Sequence, residues 1–346
     1  MENNISKPTQ TNRLGLTLEP YKGAQSTLCT GCGHDTITRH ITTAFYEYGV
    51  QPHKVAKMSG IGCSSKTPAY FLGKSCGFNS VHGRMPSVAT GAKVANRELL
   101  VLGVSGDGDT ASIGLGQFCH LIRRNLSMMY IIENNGVYGL TKGQFSATAD
   151  VGSKQKGGTT NSYDTIDCAG IAIELGCSFV ARSFSGDAKQ MVPLLKAAIA
   201  HKGMALLDVI SPCVTFNNHE GSTKSYTYVQ KSDKPVHGID FVPFYEEIHV
   251  DYPEGTTQKV DLPDGSHLFL KKLGQDYDPT NRIKALEALG RAREDGTLLT
   301  GLLYINSAKK DYHETEAVGD IPLYRLTEKD LRPSKEAFKQ MLERYA

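Results

Sequence analysis

The run from Leu99 to Ser105, apolar at nearly every position and closing on Gly106-Asp107-Gly108-Asp109, constrains the fold more than any other part of the chain. A short stretch that is apolar at consecutive positions fits a strand covered on both faces. A second such run, 126–135, ends in Asn134-Asn135, and a helical pattern at 112–125 separates the two. The rhythm continues on either side. Ile37, Ile41, Ala44, Phe45 and Tyr48 fall at helical spacing over 35–49, with Asp35 as expected N-cap and Gly49 as the stop. Strands are expected at 54–62, 78–82, 177–184 and 204–213, and helices at 86–98, near 165–176 and at 187–203, the first of these opened by Pro86 in a first-turn position. Strand and helix alternating through short connections predict an α/β fold, a doubly wound parallel sheet whose ligands sit at the carboxyl ends of the strands.

The chain has 346 residues, enough for one large α/β domain with an extension. Residues 1–26 read as an N-terminal arm, 27–214 as the α/β domain, and 215–346, where the rhythm is lost, as a C-terminal extension that wraps the core or a neighbour. Within that extension, 217–280 is polar and aromatic, 281–294 and 334–346 are expected helices, and 301–306 is an expected strand. Lys and Arg number 38 against 36 Asp and Glu, so bulk charge calls for neither nucleic acid nor an anionic membrane. The first residues hold no apolar leader, and no later run approaches the roughly 18 apolar residues of a membrane span, so the cytoplasm is the expected compartment. Eight irregularly spaced cysteines in a reducing compartment point to metal binding or redox chemistry rather than a disulfide framework.

Two adjacent strand ends carrying Gly106-Asp107-Gly108 and Asn134-Asn135-Gly136-Val137 suit a metal–diphosphate cradle. The Asp107 carboxylate, the Asn135 side-chain oxygen and a backbone carbonyl at Val137 are oxygen donors of the kind Mg²⁺ prefers, with phosphate and water completing the octahedron. The glycines allow close backbone approach, and N–H groups at the next helix start face the phosphates. A dinucleotide reading is weaker, because no Gly-x-Gly-x-x-Gly opens the first strand–helix turn.

Cys29 and Cys32 form a Cys-x-x-Cys pair in "TLCTGCGHD". Such a pair serves as a redox dithiol, half a zinc site, a haem attachment or part of an iron–sulfur site, and Gly33 in place of histidine removes the haem reading. Cys63 in "GIGCSSK" and Cys213 in "SPCVTFN" also lie at expected strand ends, so four thiolates can reach one rim of the sheet. They suit zinc or a [4Fe–4S] cluster, and their spacing does not choose between them. Cys76 is the one rival to Cys63; Cys119, Cys168 and Cys177 lie inside expected helices and strands, where a thiol is usually a small hydrophobe.

Taken together, "CTGCGHD", "SGIGCSSK", "HGR", "ATGAKVAN", "GDGD", "NNGVYGLTKGQ" and "SPCVTFNNHEGSTKSY" resemble the β subunit of 2-oxoacid:ferredoxin oxidoreductases over roughly residues 20–230, and are most similar to the 2-oxoglutarate branch. The resemblance implies the thiamine diphosphate-binding fold of the transketolase-like diphosphate domain. It also implies thiamine diphosphate, Mg²⁺ on Asp107, Asn135 and Val137, and one [4Fe–4S] cluster on Cys29, Cys32, Cys63 and Cys213. The implied reaction is CoA-dependent oxidative decarboxylation of a 2-oxoacid, 2-oxoglutarate to succinyl-CoA, with electrons leaving through the cluster to ferredoxin. One diphosphate unit without a repeat is half a thiamine site, so a partner α subunit is expected to supply the pyrimidine half in an (αβ)₂ heterotetramer.

On the same resemblance, Gly62, Cys63, Ser64, Ser65, His82, Gly106, Asp107, Gly108, Asp109, Asn135, Val137, Gly139, Leu140 and Thr141 are expected around the cofactor. Lys66, His82, Arg84, Leu140 and Lys142 are expected near substrate or CoA, while His34 and Asp35 are expected to be helix-start residues. The readings left open beside this one are a pyruvate-specific β subunit, a non-redox thiamine enzyme with a structural zinc, and a cluster-bearing electron carrier without its own cofactor site.

Overall fold

The computed structural model describes residues 10–153, 159–214, 248–261 and 267–345. The expected arm before residue 10, part of the loop at 154–158, and the "SPCVTFNNHEGSTKSY" motif beyond Val214 lie outside the described residues. Strands β1 (Val55–Ser59), β2 (Cys76–Asn79), β3 (Leu100–Gly106), β4 (Met128–Asn134), β7 (Phe179–Phe184) and β8 (Met204–Ile210) pair in parallel in the order β2-β1-β3-β4-β8-β7. A small hairpin, β5 (Val137–Tyr138) and β6 (Gln144–Phe145), follows β4. The expected strand at 78–82 lies earlier, at β2, an edge strand whose residues are all exposed.

Both faces of the sheet are covered, which is why its central strands are continuously apolar. On β4, Met128, Tyr130 and Ile132 pack into one core, while Met129 and Ile131 pack into the other. The first core is closed by helices α2 (Met85–Ala95), α3 (Leu115–Arg124) and α4 (Cys168–Glu174), the second by α1 (Gly33–Tyr48) and α5 (Ala188–Ala200). Cys168 and Cys177 are buried in the first core as small hydrophobes. α1 starts two residues before the expected Asp35 cap. Cys32 holds the extended N-cap conformation, and Asp35 instead places its charge in the first turn, where the helix dipole favours it. Gly49 ends the helix at φ 72°, as expected. Between β3 and α3 the chain makes a π-helical turn, Gly108–Ile113, that periodicity did not reveal.

The chain beyond residue 214 does more than wrap the core. β9 (Thr257–Asp261), β10 (His267–Lys272) and β11 (Leu298–Ile305) extend the same sheet to nine strands, β11 joining β7 antiparallel. The expected helices appear as Arg282–Glu294, whose Ala285, Leu289 and Ala292 enter the first core, and as Lys335–Glu343. At the other end of the chain, Tyr21 is fully buried, and its hydroxyl accepts from Asn12 (2.8 Å) and donates to the Val50 carbonyl (2.8 Å). Among the described residues no helix is long and apolar enough to cross a membrane. Ile131 lies fully buried at the centre of β4; Ile131→Ala is expected to lower unfolding stability by about 2–5 kcal/mol, read as a fall in the urea midpoint at unchanged slope.

Candidate active site

The sheet order reverses between β1 and β3, and α/β sheets bind ligands where such a reversal parts the helices. There the segments following β1, β3 and β4 wall an open cleft. Thirteen of the fourteen residues expected around the cofactor line it: Gly62, Cys63, Ser64, His82, Gly106, Asp107, Gly108, Asp109, Asn135, Val137, Gly139, Leu140 and Thr141. Ser65 does not; its hydroxyl donates to the Gly62 carbonyl (2.6 Å) and closes the turn that carries Cys63. His34, Ile61, Glu133 and Tyr138 also line the cleft and were not expected there.

Asp107 is the polar centre of the floor, 1% exposed. Its Oδ1 accepts from the Asn135 N–H (3.2 Å), and its Oδ2 accepts from the hydroxyls of Ser146 and Thr148, the latter at 2.7 Å. Burial pushes this carboxyl above its ordinary range, against the pull of those hydrogen bonds. Among the described residues no lysine or arginine pairs with it, so a bound cation would supply the missing charge. Asn135 Oδ1 accepts from the Val137 N–H (3.0 Å) and retains a second lone pair. One buried, uncompensated carboxylate beside an amide oxygen and a free-running strand end fits Mg²⁺.

Asp109 does a different job. Its carboxylate accepts from the Gly83 N–H (2.8 Å) and the Ser105 hydroxyl (2.6 Å), and it bonds His82 at Nδ1. It therefore knots the end of β3 to the His82 loop and orients that imidazole at the cleft. Two glycines make room: a methyl group at Gly60 would lie 1.8 Å from Asp109 Oδ2, and one at Gly108 would lie 2.5 Å from the Tyr138 ring. The Tyr138 hydroxyl donates to the Gly108 carbonyl (3.0 Å), so the hairpin β5–β6 is pinned across the floor. At its tip Leu140 stands half exposed, 50%, over the cleft mouth.

Three residues expected near substrate do not line the cleft. Arg84 is the exposed residue that precedes α2, and Lys142 is exposed in a left-handed position (φ 79°) of the hairpin turn. Lys66 is exposed on the short 3₁₀ helix Ser64–Ala69 and acts on the Cys63 thiol instead, opposing the rise that burial causes.

Of the four motif cysteines, Cys63 lines this cleft, and the others neighbour it or one another. A methyl group at Gly139 would lie 3.3 Å from Cys63 Sγ and 4.0 Å from Cys213 Sγ, so both thiols approach the hairpin. Burial pushes the Cys32 thiol up, and neighbouring Cys213 and Glu133 add to the rise; Cys29 acts in the same way on Cys63. Cys76 is placed elsewhere, exposed on edge strand β2. Beneath the Cys63 loop the buried Lys57 ammonium donates to the carbonyls of Pro68, Phe71 (2.7 Å) and Leu72 (3.1 Å), and burial lowers it to about 8. Among the described residues no three His, Cys, Asp or Glu side chains converge on a single ion position. A four-iron cluster does not require that, because each thiolate binds a different iron. Magnesium here would draw on one carboxylate with amide and carbonyl oxygens.

Between the Asp107 floor and the cysteines lies Glu133, fully buried, with neither carboxylate oxygen hydrogen-bonded. The nearby Thr67 hydroxyl is committed to the Ser64 carbonyl (2.8 Å). His34 Nδ1 stands 3.8 Å from Glu133 and 2.6 Å from the Ser211 hydroxyl. Burial raises Glu133 well above the carboxylate range and lowers His34 to about 4, so burial disfavours charge on both partners of this contact. His34 does start α1, as expected, but it also reaches the cleft. Only the packing of α1 against the ends of β4 and β8 could show this.

The fold and site are those of a thiamine diphosphate enzyme's diphosphate-binding domain: residues 59–209 match the family described as thiamine pyrophosphate enzyme, C-terminal TPP binding domain. The 2-oxoacid:ferredoxin oxidoreductase β subunit of a Sulfolobus species is 40% identical over 233 residues, 67% of this chain and 74% of that one. Subunit β of 2-oxoacid:ferredoxin oxidoreductase 1 of Aeropyrum pernix is 36% identical over 288 residues, 83% of this chain and 80% of the relative. Among solved structures, 2-oxoglutarate:ferredoxin oxidoreductase from Magnetococcus marinus, with 2-oxoglutarate, coenzyme A and succinyl-CoA bound, superposes with a TM-score of 0.68 at 31% identity, covering 88% of this chain and 89% of that one. The chain belongs to the β subunits of the 2-oxoacid:ferredoxin oxidoreductases.

The buried Glu133 gives a pH test of the site's electrostatics. Its folded value lies above the ordinary 4.5, so the unfolded chain releases this proton first and stability falls as pH rises through that window. Glu133→Gln is therefore expected to gain stability relative to wild type progressively above that value, measured by urea unfolding between about pH 5 and pH 8.

Proposed function

We propose that this chain is the cofactor-bearing half of a CoA-dependent 2-oxoglutarate:ferredoxin oxidoreductase. The observation that carries the reading is the buried, uncompensated Asp107 at a three-strand cleft that is lined by Cys63 and by Gly139, with the Cys213 thiol near Gly139. In this reading Asp107, Asn135 and the Val137 carbonyl hold Mg²⁺, while Gly62, Ser64, Gly106, Gly108 and Thr141 surround the diphosphate. Asp109 acts by holding His82 rather than by touching the metal. Cys29, Cys32, Cys63 and Cys213 hold one [4Fe–4S] cluster.

When bound, thiamine diphosphate supplies the carbon nucleophile and electron sink that make decarboxylation of a 2-oxoacid accessible. The chain's own groups bind and orient. Ile61 and Leu140 at the mouth exclude water, Gly139 lets the hairpin pass close under the thiols, and His82 offers a held imidazole to the substrate side. Lys66, exposed beside Cys63, is the group for a substrate carboxylate or a CoA phosphate. A cluster held by Cys29, Cys32, Cys63 and Cys213 would supply one-electron redox chemistry toward ferredoxin.

The cleft is half of a thiamine site, so an α subunit bringing the pyrimidine half completes it, in an (αβ)₂ heterotetramer. Balanced bulk charge supports small-molecule and protein partners rather than nucleic acid or a membrane, and a cytoplasmic setting. The solved relative named for 2-oxoglutarate supports that acid over pyruvate.

Anaerobically purified protein is expected to carry about four irons per chain with an iron–sulfur EPR signal. Asp107→Ala should abolish thiamine diphosphate binding and leave that signal intact. A colourless protein with stoichiometric zinc would instead favour a non-redox thiamine enzyme. With its α subunit, CoA and a viologen acceptor, the complex should turn over 2-oxoglutarate faster than pyruvate; a preference for pyruvate would overturn the substrate assignment.

A further inference from the structure

We propose that Ser146 and Thr148, just after the return strand of the hairpin, are positioning residues that fix which oxygen of Asp107 faces the cation. The inference rests on the magnesium reading above. Both hydroxyls approach the same oxygen, Oδ2, Thr148 at 2.7 Å. The other oxygen, Oδ1, receives one backbone N–H at 3.2 Å. With Oδ2 saturated by two O–H donors, Oδ1 is the oxygen with lone-pair capacity left for a metal ion.

The clamp is itself anchored. Ser146 and Thr148 are both buried, and their hydroxyl oxygens lie 2.9 Å apart. Thr148 Oγ1 stands 3.0 Å from Asn134 Oδ1, the Asn134 amide donates to Asp208 Oδ1 (3.0 Å), and Asp208 Oδ2 accepts from the Arg182 guanidinium (2.9 Å). Arg182 also pairs with Asp167, the N-cap of α4. A buried hydrogen-bonded chain therefore runs from Arg182 on β7 through Asp208 on β8 to Asn134 at the end of β4, beside Thr148. Thr148 has a single hydroxyl proton. It goes to the Asp107 carboxylate at the shorter distance, which leaves the Asn134 oxygen as a neighbour of the threonine and not its hydrogen-bond partner.

This gives Asn134 and Asn135, neighbours in one motif, opposite roles. Asn135 faces the cleft, while Asn134 faces Asp208 and Thr148 behind it. Groups that orient a metal ligand typically change metal affinity by roughly 10- to 100-fold when removed. A purely structural hydroxyl would alter stability and leave affinity for the ion alone.

The test is Mn²⁺ binding, followed by EPR in the co-expressed αβ complex at saturating thiamine diphosphate, for Ser146→Ala, Thr148→Val, Thr148→Ser and Asp107→Asn. Ser146→Ala and Thr148→Val are expected to raise the Mn²⁺ Kd by roughly 10- to 100-fold, with Thr148→Ser restored to within a few-fold of wild type. Unchanged Kd values in the first two, alongside lost binding in Asp107→Asn, would overturn the inference and leave the cofactor reading standing. A wild-type complex that binds no Mn²⁺ with thiamine diphosphate would overturn the cofactor reading and this inference with it. Should Thr148→Val fail to fold, Ser146→Ala decides by the same criterion.

Discussion

A carboxylate removed from water at the end of the central strand is the constraint on which the rest of the cleft depends. Asp107 is buried because β3 is covered on both faces, and a charge in that position needs hydrogen bonds and an opposite charge. The surrounding chain supplies the hydrogen bonds from three directions: the Asn135 amide at the end of β4, and the hydroxyls of Ser146 and Thr148 beyond the hairpin. The hairpin must lie across the floor to deliver those hydroxyls, and Tyr138 bonded to the Gly108 carbonyl holds it there. The same hairpin carries Gly139, which the thiols of Cys63 and Cys213 both approach. One buried charge thus fixes how the carboxylate floor and the thiol side of the cleft sit against each other.

The two aspartates of Gly106-Asp107-Gly108-Asp109 divide the labour. Asp107 faces the cleft, whereas Asp109 is spent on Gly83, Ser105 and His82. Nothing in the motif distinguishes them, since each is an aspartate next to a glycine. The difference arises because the chain enters a π-helical turn at Gly108, which swings Asp109 back toward the end of β1. The requirement for glycine at position 60 follows from that swing.

Local pattern made the sheet and much of the cleft legible. Consecutive apolar residues identify strands covered on both faces, and polar breaks at their ends identify the rim, so Asp107 and Asn135 could be named from the pairing of two strand ends, while Gly62 came with the family resemblance. Lys142 and Arg84 do not line the cleft, and sequence proximity to a motif says nothing of which side of a turn a side chain leaves. Glu133 and His34 were missed for the complementary reason: a glutamate closing an apolar run reads as solvated until α1 and β8 are packed over it.

By itself the sequence determined the α/β alternation, the family, and the donor types at each strand end, because hydrophobic period and residue chemistry are local properties. Only the tertiary structure decided that β11 would carry the C-terminal chain into the same sheet, and that Asp109 would serve His82. It also decided that an unpaired glutamate would sit between the carboxylate floor and the thiols. Those outcomes depend on contacts between residues tens to hundreds of positions apart, and such contacts leave no period in the chain for a reader to detect.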